Sequence, residues 1–345
     1  MKDKLKKLRK KQEEPELDAG ARVTNDTLAI HREQILKGAR KYVYPLQHSK
    51  HRLVFLSVSI AVVALMSFFI YMTFTLYKSK SSSPFLYKVT RVVPFPVARI
   101  GSEFIPYENY LFEVNHYVHY YQHVQKLDFS SDSGKAQLAE FKKRALQKVL
   151  DDAYIKGLAA KKGITVTDAE VNDAIKVVRD QNRLSSSDAE LEAVLKENWD
   201  WSISDFKRSL KLQILNQKVL SSLDTGAHDR ANKALAELKN GKDFATLAKE
   251  VSEDAITKDS GGEYAGLVDR SNRDIPPKAI QALFALQAGQ YSGVVDTGFD
   301  LEIMKNIEPK GTQVKGAHIV FNFKDINEFL NNEKAQKKTR SYLTL

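Results

Sequence analysis

His116, His119 and His123 stand at i, i+3 and i+7, one face of a helix and a spacing that can ligate a metal ion. No Asp, Glu or Cys set accompanies them, and tyrosines interleave (NHYVHYYQH), so the favoured reading is an aromatic packing or peptide-contact face. Trp199 and Trp201 read as core anchors, because aromatic side chains carry large buried areas. The Gly261-Gly262 pair lacks the Lys-Ser/Thr of a phosphate loop and reads as a turn. No hydrolase triad is evident. Cysteine is absent, which removes disulfides, Cys-zinc sites and thiol nucleophiles together. Neither a metal nor a cofactor is expected.

The elements that must position such residues follow from charge and hydropathy. The chain has 345 residues, 43% hydrophobic and 28% charged, with a net charge of +10. Residues 1–52 carry 14 Lys and Arg against 7 Asp and Glu, so most of the excess lies on a tail and no nucleic-acid partner is expected. That basic tail reads as disordered. Leu53–Tyr77 is 25 residues without a charge, enough to span a ~30 Å hydrocarbon core as one helix. Arg40, Lys41, Lys50 and Arg52 flank its N-terminal side and outnumber the nearby Lys78 and Lys80, which predicts a cytoplasmic N-terminus and extracytoplasmic residues 78–345.

Residues 78–96 read as a polar linker and an edge strand, with Pro94 and Pro96 keeping the strand at the edge. Residues 97–226 read as a helical domain. Thr167 with Glu170, and Ser187 with Glu190, have capping-box spacing, and Ser204 or Asp205 opens a long helix to about Leu223. Residues 227–325 alternate short helices with short strands, an α+β pattern, and include a C-terminal strand at 315–323. Residues 326–345 read as a C-terminal helix and tail.

Within this region, ANKALAELKNGKDFATLAKEVSED, GGEYAG and ALFALQAGQYSGVVDTGFDLEIMK resemble a parvulin-type peptidyl-prolyl isomerase domain in order and spacing, over about Arg230–Glu308. VARIGSEFIPYENYLFEV and the helices after it resemble the chaperone arm of the SurA, PrsA and PpiD class. The fold expected is therefore a single transmembrane helix, an all-helical chaperone arm like the SurA N-terminal domain, and a parvulin-like α+β domain. The resemblance implies a membrane-anchored foldase acting outside the cytoplasm on unfolded or newly exported polypeptides at X-Pro segments. The alternative is a noncatalytic holdase whose degenerate parvulin domain only binds peptide.

Residue by residue, the resemblance puts Asp254 at the acid-or-thiol position, Tyr264 near the socket Leu, Ile275 at the socket Met and Ala279 at the socket Phe. Phe284 joins the substrate-binding set, and Asp300 falls where a late His usually sits. The family's first strand, with H-I-L-V-like text, is missing before Arg230. Gly316-Ala317-His318-Ile319-Val320-Phe321 resembles it but follows the domain. The expectation is that this strand inserts at the missing place, bringing His318 beside Asp254 as the catalytic pair. An unrelated edge strand is the competing reading.

Overall fold

The computed structural model describes residues 24–43, 50–182, 184 and 187–345. Two compact units divide at Thr73. The first contains helix α1 (Asn25–Val43) and helix α2 (Lys50–Thr73). Helix α1 replaces the disorder expected over much of residues 1–52; residues 1–23 and 44–49 lie outside the described residues. Helix α2 has no acidic residue in its first turn and no basic residue in its last. The apolar helical stretch Arg52–Lys78, which includes most of it, is long and apolar enough to cross a bilayer.

The second unit, Phe74–Leu345, holds everything else. Its first surprise is helix α3 (Pro84–Val92), where a linker was expected. Ser83 caps it by accepting the Leu86 N–H, and Pro84 sits at the first helical position, where its missing N–H costs nothing. Strands β1 (Pro96–Ile100) and β2 (Glu103–Pro106) form a hairpin around Gly101. Strand β1 lies at the centre of a three-stranded sheet and not at its edge. The prolines permit this because Pro94 precedes the strand and Pro96 opens it, so no interior ladder donor is lost.

Among the described residues, five α-helices build the arm: α4 (Tyr107–His119), α5 (Asp132–Lys162), α6 (Asp168–Asn182), α7 (Asp188–Trp199) and α8 (Ile203–Leu223). Local sequence sets their ends. Ser131 caps α5, and Gly163 closes it in the left-handed conformation at φ 66°. Thr167 and Glu170 form a reciprocal capping box on α6. The box on α8 is Ser202 with Asp205, so the helix starts before the expected Ser204. Val171, Ile175, Leu191, Leu195 and Leu210 bury one arm core, with Trp199 and Trp201 half-buried against it. His116 packs on Tyr117 and Trp201, and His119 stacks on His123.

The α+β region begins with α9 (Thr225–Lys239) and α10 (Phe244–Val251). Helix α11 (Pro277–Ala285) follows, then strands β3 (Tyr291–Asp296), β4 (Asp300–Lys310) and β5 (Gln313–Asn322). The order β3-β4-β5 is antiparallel throughout. Helices α9 and α10 cover one face, burying Ala231, Leu238, Phe244 and Leu247 against Leu301, Ile303, Ala317, Ile319 and Phe321. Helix α11 packs on the other face, where Ala279, Ile280 and Leu283 meet Met304 and Val314.

The chain then turns back. Helix α12 (Ile326–Gln336) leads to β6 (Thr339–Ser341), which pairs with β1 and completes the arm's sheet. The Tyr154 hydroxyl bonds to the Lys337 carbonyl at 2.6 Å and lies 2.8 Å from Thr339 Oγ1. Residues 326–345 are thus part of the arm and not a free tail.

Candidate active site

The site is built on β5. One edge of this strand pairs with β4 from Gln313 to Asn322. Its other edge is met by residues 252–268. The Val320 N–H donates to Ser252 Oγ, the His318 N–H to the Gly262 carbonyl, and the Tyr264 N–H to the Gly316 carbonyl. Val268 and Val314 exchange both backbone bonds. The strand 313–322 therefore lies between β4 and the loop that carries Asp254 and Tyr264. Gly262 permits this approach: it sits at φ 82°, and a Cβ there would lie 2.2 Å from the His318 carbonyl oxygen.

Strand alternation supplies the site's face. Residues 300, 302 and 304 of β4 share it with residues 318, 320 and 322 of β5, because Met304 is opposite His318 and Glu302 opposite Val320. Glu302 is consequently a diagonal neighbour of His318 on one face. His318 Nδ1 lies 2.7 Å from Glu302 Oε2, and Nε2 lies 3.0 Å from Asp254 Oδ2. Thr257 Oγ1 is 3.0 Å from Nε2, and the Tyr264 hydroxyl is 3.0 Å from Nδ1. Thr257 also donates its hydroxyl to Asp254 Oδ2 at 2.5 Å, and the Ile256 N–H donates to Asp254 Oδ1.

Electrostatics follow from these contacts. Burial disfavours a charge on His318, but the Glu302 and Asp254 carboxylates outweigh it and raise its pKa. Burial likewise pushes Asp254 up; hydrogen bonds from Thr257, the Ile256 amide and His318 overcome it and hold the carboxyl below its ordinary range. Tyr264 is pushed above the ordinary tyrosine range by burial, then by Glu302, Asp254 and Asp300. Burial and the neighbouring Glu302 push Asp300 up to about 6.

These groups line an open cleft of about 660 Å³. Of the residues singled out from sequence, Asp254, Tyr264, Ile275, Asp300 and His318 line it. Ala279 and Phe284 do not. Ala279 is fully buried and faces the core between α11 and the sheet, because the helix starts at Pro277 and turns that position inward. Phe284 packs against the same core, with the Arg270 guanidinium 4.5 Å from its ring centroid. Glu302, only 2% exposed, was missed, as were Thr257 and the rim residues Ile256 and Leu267, which are 88% and 44% exposed. The signal for Glu302 is a lone carboxylate in the apolar run Leu301–Met304, two residues from Asp300 and so on its face. Ile275 and Val268 give the cleft an apolar wall, and Asp254, Tyr264 and His318 give it polar groups.

Residues 46–220 match the SurA-like N-terminal domain family, to which the chain belongs, and residues 217–308 match the PPIC-type PPIASE domain. The second match stops before β5 and His318. Among curated proteins, the chain is 29% identical over 194 residues to a foldase protein PrsA of Lacticaseibacillus paracasei, covering 48% of this chain and 60% of the relative. It is 27% identical over 243 residues to the Clostridium botulinum strain Okra foldase protein PrsA, covering 60% of this chain and 71% of that one. A Clostridium kluyveri foldase protein PrsA is 33% identical over 105 residues, 30% of each chain. A solved peptidylprolyl isomerase (PrsA) from Bacillus anthracis is 20% identical, covering 54% of this chain and 86% of that chain, at a TM-score of 0.18.

Proposed function

We propose that this chain is a membrane-anchored, extracytoplasmic peptidyl-prolyl cis–trans isomerase and chaperone that assists the folding of exported polypeptides. One observation carries the reading: His318 is clamped between Asp254 and Glu302 on the floor of an open cleft whose rim exposes Ile256 and Leu267. Amide rotation is opposed by ~18–20 kcal/mol of resonance and uncatalysed X-Pro exchange takes ~10–100 s. No covalent intermediate is required. In the twisted amide the nitrogen lone pair is no longer delocalised, so a donor aimed at the nitrogen favours that state over the planar one. Ile275 and the rim supply apolar contact for the proline ring, while Asp254, His318 and Tyr264 supply the polar contacts.

The curated relatives carry the name foldase, which supports a folding role for the arm as well. Anchoring rests on the apolar helix Arg52–Lys78, and the orientation on the basic flank before it. A noncatalytic holdase is the second reading. It is favoured by Asp300 in place of the late His and by Ala279 facing the core.

Proline-isomerisation kinetics on the full chain, with short X-Pro peptides, separate the two. Exchange accelerated above the uncatalysed rate supports the isomerase. Peptide that binds in the cleft with no acceleration establishes the holdase, and no binding by any unfolded client overturns both.

A further inference from the structure

The hydrogen atoms of the clamp can be assigned one at a time. Carboxylates only accept, a neutral imidazole has one N–H, and an imidazolium has two. Glu302 approaches Nδ1 at 2.7 Å, and its side chain makes no other hydrogen bond among the described residues. At 2% exposure it is the most buried carboxylate in the cleft, and an ionised carboxylate so placed needs a cationic partner. Taken as an ion pair, the two groups place the proton between them on Nδ1, donated to Glu302. At Nε2 the choice is equally constrained. Thr257 gives its hydroxyl proton to Asp254 Oδ2, so Thr257 offers Nε2 an oxygen and no hydrogen. Asp254 Oδ2 is also an acceptor, 3.0 Å away. Nε2 must donate as well.

That leaves Tyr264. Its hydroxyl lies 3.0 Å from Nδ1, which already carries a proton and cannot accept another. The Tyr264 hydroxyl hydrogen has no other acceptor among the hydrogen bonds of the described residues, and the side chain lines the cleft. The ring is tilted over the imidazole at 4.6 Å between centroids, so the hydroxyl stays near the clamp while its hydrogen points elsewhere.

We propose that Glu302 is a positioning residue that fixes His318 as a doubly protonated imidazolium between two carboxylates, and that this arrangement frees the Tyr264 hydroxyl to donate to a bound prolyl amide. The inference rests on the isomerase reading for the substrate and on the clamp geometry alone for the proton assignment. The groups facing His318 are Asp254 and Thr257 from the loop after α10, Tyr264 from the strand-like segment beside β5, and Glu302 from β4, with the Asp300 carboxyl of the same strand interacting through its charge. Replacing Glu302 by Gln removes the negative charge and lets an amide N–H compete for Nδ1, which returns the ring to its neutral form.

Two measurements on the full chain test this. Nitrogen-15 NMR of the His318 ring at pH 7 is expected to show both nitrogens protonated in the wild type and a neutral ring in Glu302→Gln. A wild-type ring that is neutral at pH 7 overturns the proposal whether or not the protein is an isomerase. Turnover of an X-Pro peptide gives the second readout. Tyr264→Phe and Glu302→Gln are each expected to lower kcat about tenfold with KM little changed, the double variant to be no slower than the singles, and Glu302→Asp to recover part of the rate. Wild-type kcat in Tyr264→Phe, or independent multiplying losses in the double variant, overturns the donor role. If the wild type turns over no prolyl bond, the isomerase reading and the donor role fall together, while the ring spectrum still decides the clamp. Should Glu302→Gln not fold, the wild-type ring spectrum and Tyr264→Phe remain decisive.

Discussion

At the residue scale, the cleft concentrates ionisable groups whose protonation states depend on one another. His318 has a raised pKa, so its contribution to stability is fully present below its unfolded value of 6.5 and is lost as pH rises through the folded value. Asp254 runs the other way: its contribution is present above the unfolded 3.8 and is lost as pH falls through its lowered folded value. Asp300 differs from both. Its carboxyl is pushed up from 3.8 to about 6, so ionising it above pH 6 costs stability. Asp300→Asn should therefore stabilise the protein at pH 7.5 by about 1–2 kcal/mol, after allowing for partial solvent screening, and do nothing near pH 4. Thermal melts at the two pH values check this; equal gains at both would point to packing. His318→Ala leaves Glu302 buried without its cation, so a loss of about 3–5 kcal/mol is expected at pH 6, below the unfolded value of His318. The loss should shrink as pH rises through the raised folded value of His318, and a pH-independent loss in denaturant titrations would refute that origin.

At the element scale, β5 is the member on which the site depends. Its Phe321 is 1% exposed in the core beneath α9 and α10, so Phe321→Ala should cost about 3–5 kcal/mol. Deleting residues 312–345 removes the partner of β4 and the core side chains Val314, Ala317, Ile319 and Phe321, and should unfold the whole α+β region. Near-UV circular dichroism of the truncated chain tests this, and an unchanged spectrum contradicts it. Gly262→Ala should be as damaging as a core deletion, because its Cβ would collide with the backbone of β5 at a positive φ. The sequence carried much of this. GAHIVF announced a strand with a histidine, and Thr167 with Glu170 announced a helix start, because both signals are local. Glu302 stayed hidden because its partnership depends on the register of β4 against β5, which no local pattern specifies. Ala279 was misplaced because a nine-residue helix offers too few turns to fix its inward face. Strand β6 is Thr-Arg-Ser, fully exposed and without apolar alternation; it exists because β1 has an edge to pair.

At the scale of the whole molecule, the apolar helix and the folded region make separate predictions. Protease applied outside intact cells should digest residues after Lys78 and spare those before Arg52, and protection of the folded region would overturn the proposed orientation. The exposed Ile256 and Leu267 on the cleft rim should hold unfolded chain with weak sequence preference. The full chain is accordingly expected to slow aggregation of an unfolded test protein at near-stoichiometric amounts, read by light scattering; no effect on several clients would count against a holding function. The returning C-terminal segment has a temporal meaning too. Strand β1 ends at Ile100 and waits for Thr339–Ser341, and β4 waits for Gln313–Asn322. At ~5–20 residues per second, a ribosome needs on the order of ten to fifty seconds to travel from β1 to β6. Throughout that interval the nascent arm holds an unpaired strand edge, and for most of it the cleft has no histidine. The two sheets close almost together, so a chain stalled or clipped late in its synthesis would emerge with neither a finished arm nor a working cleft.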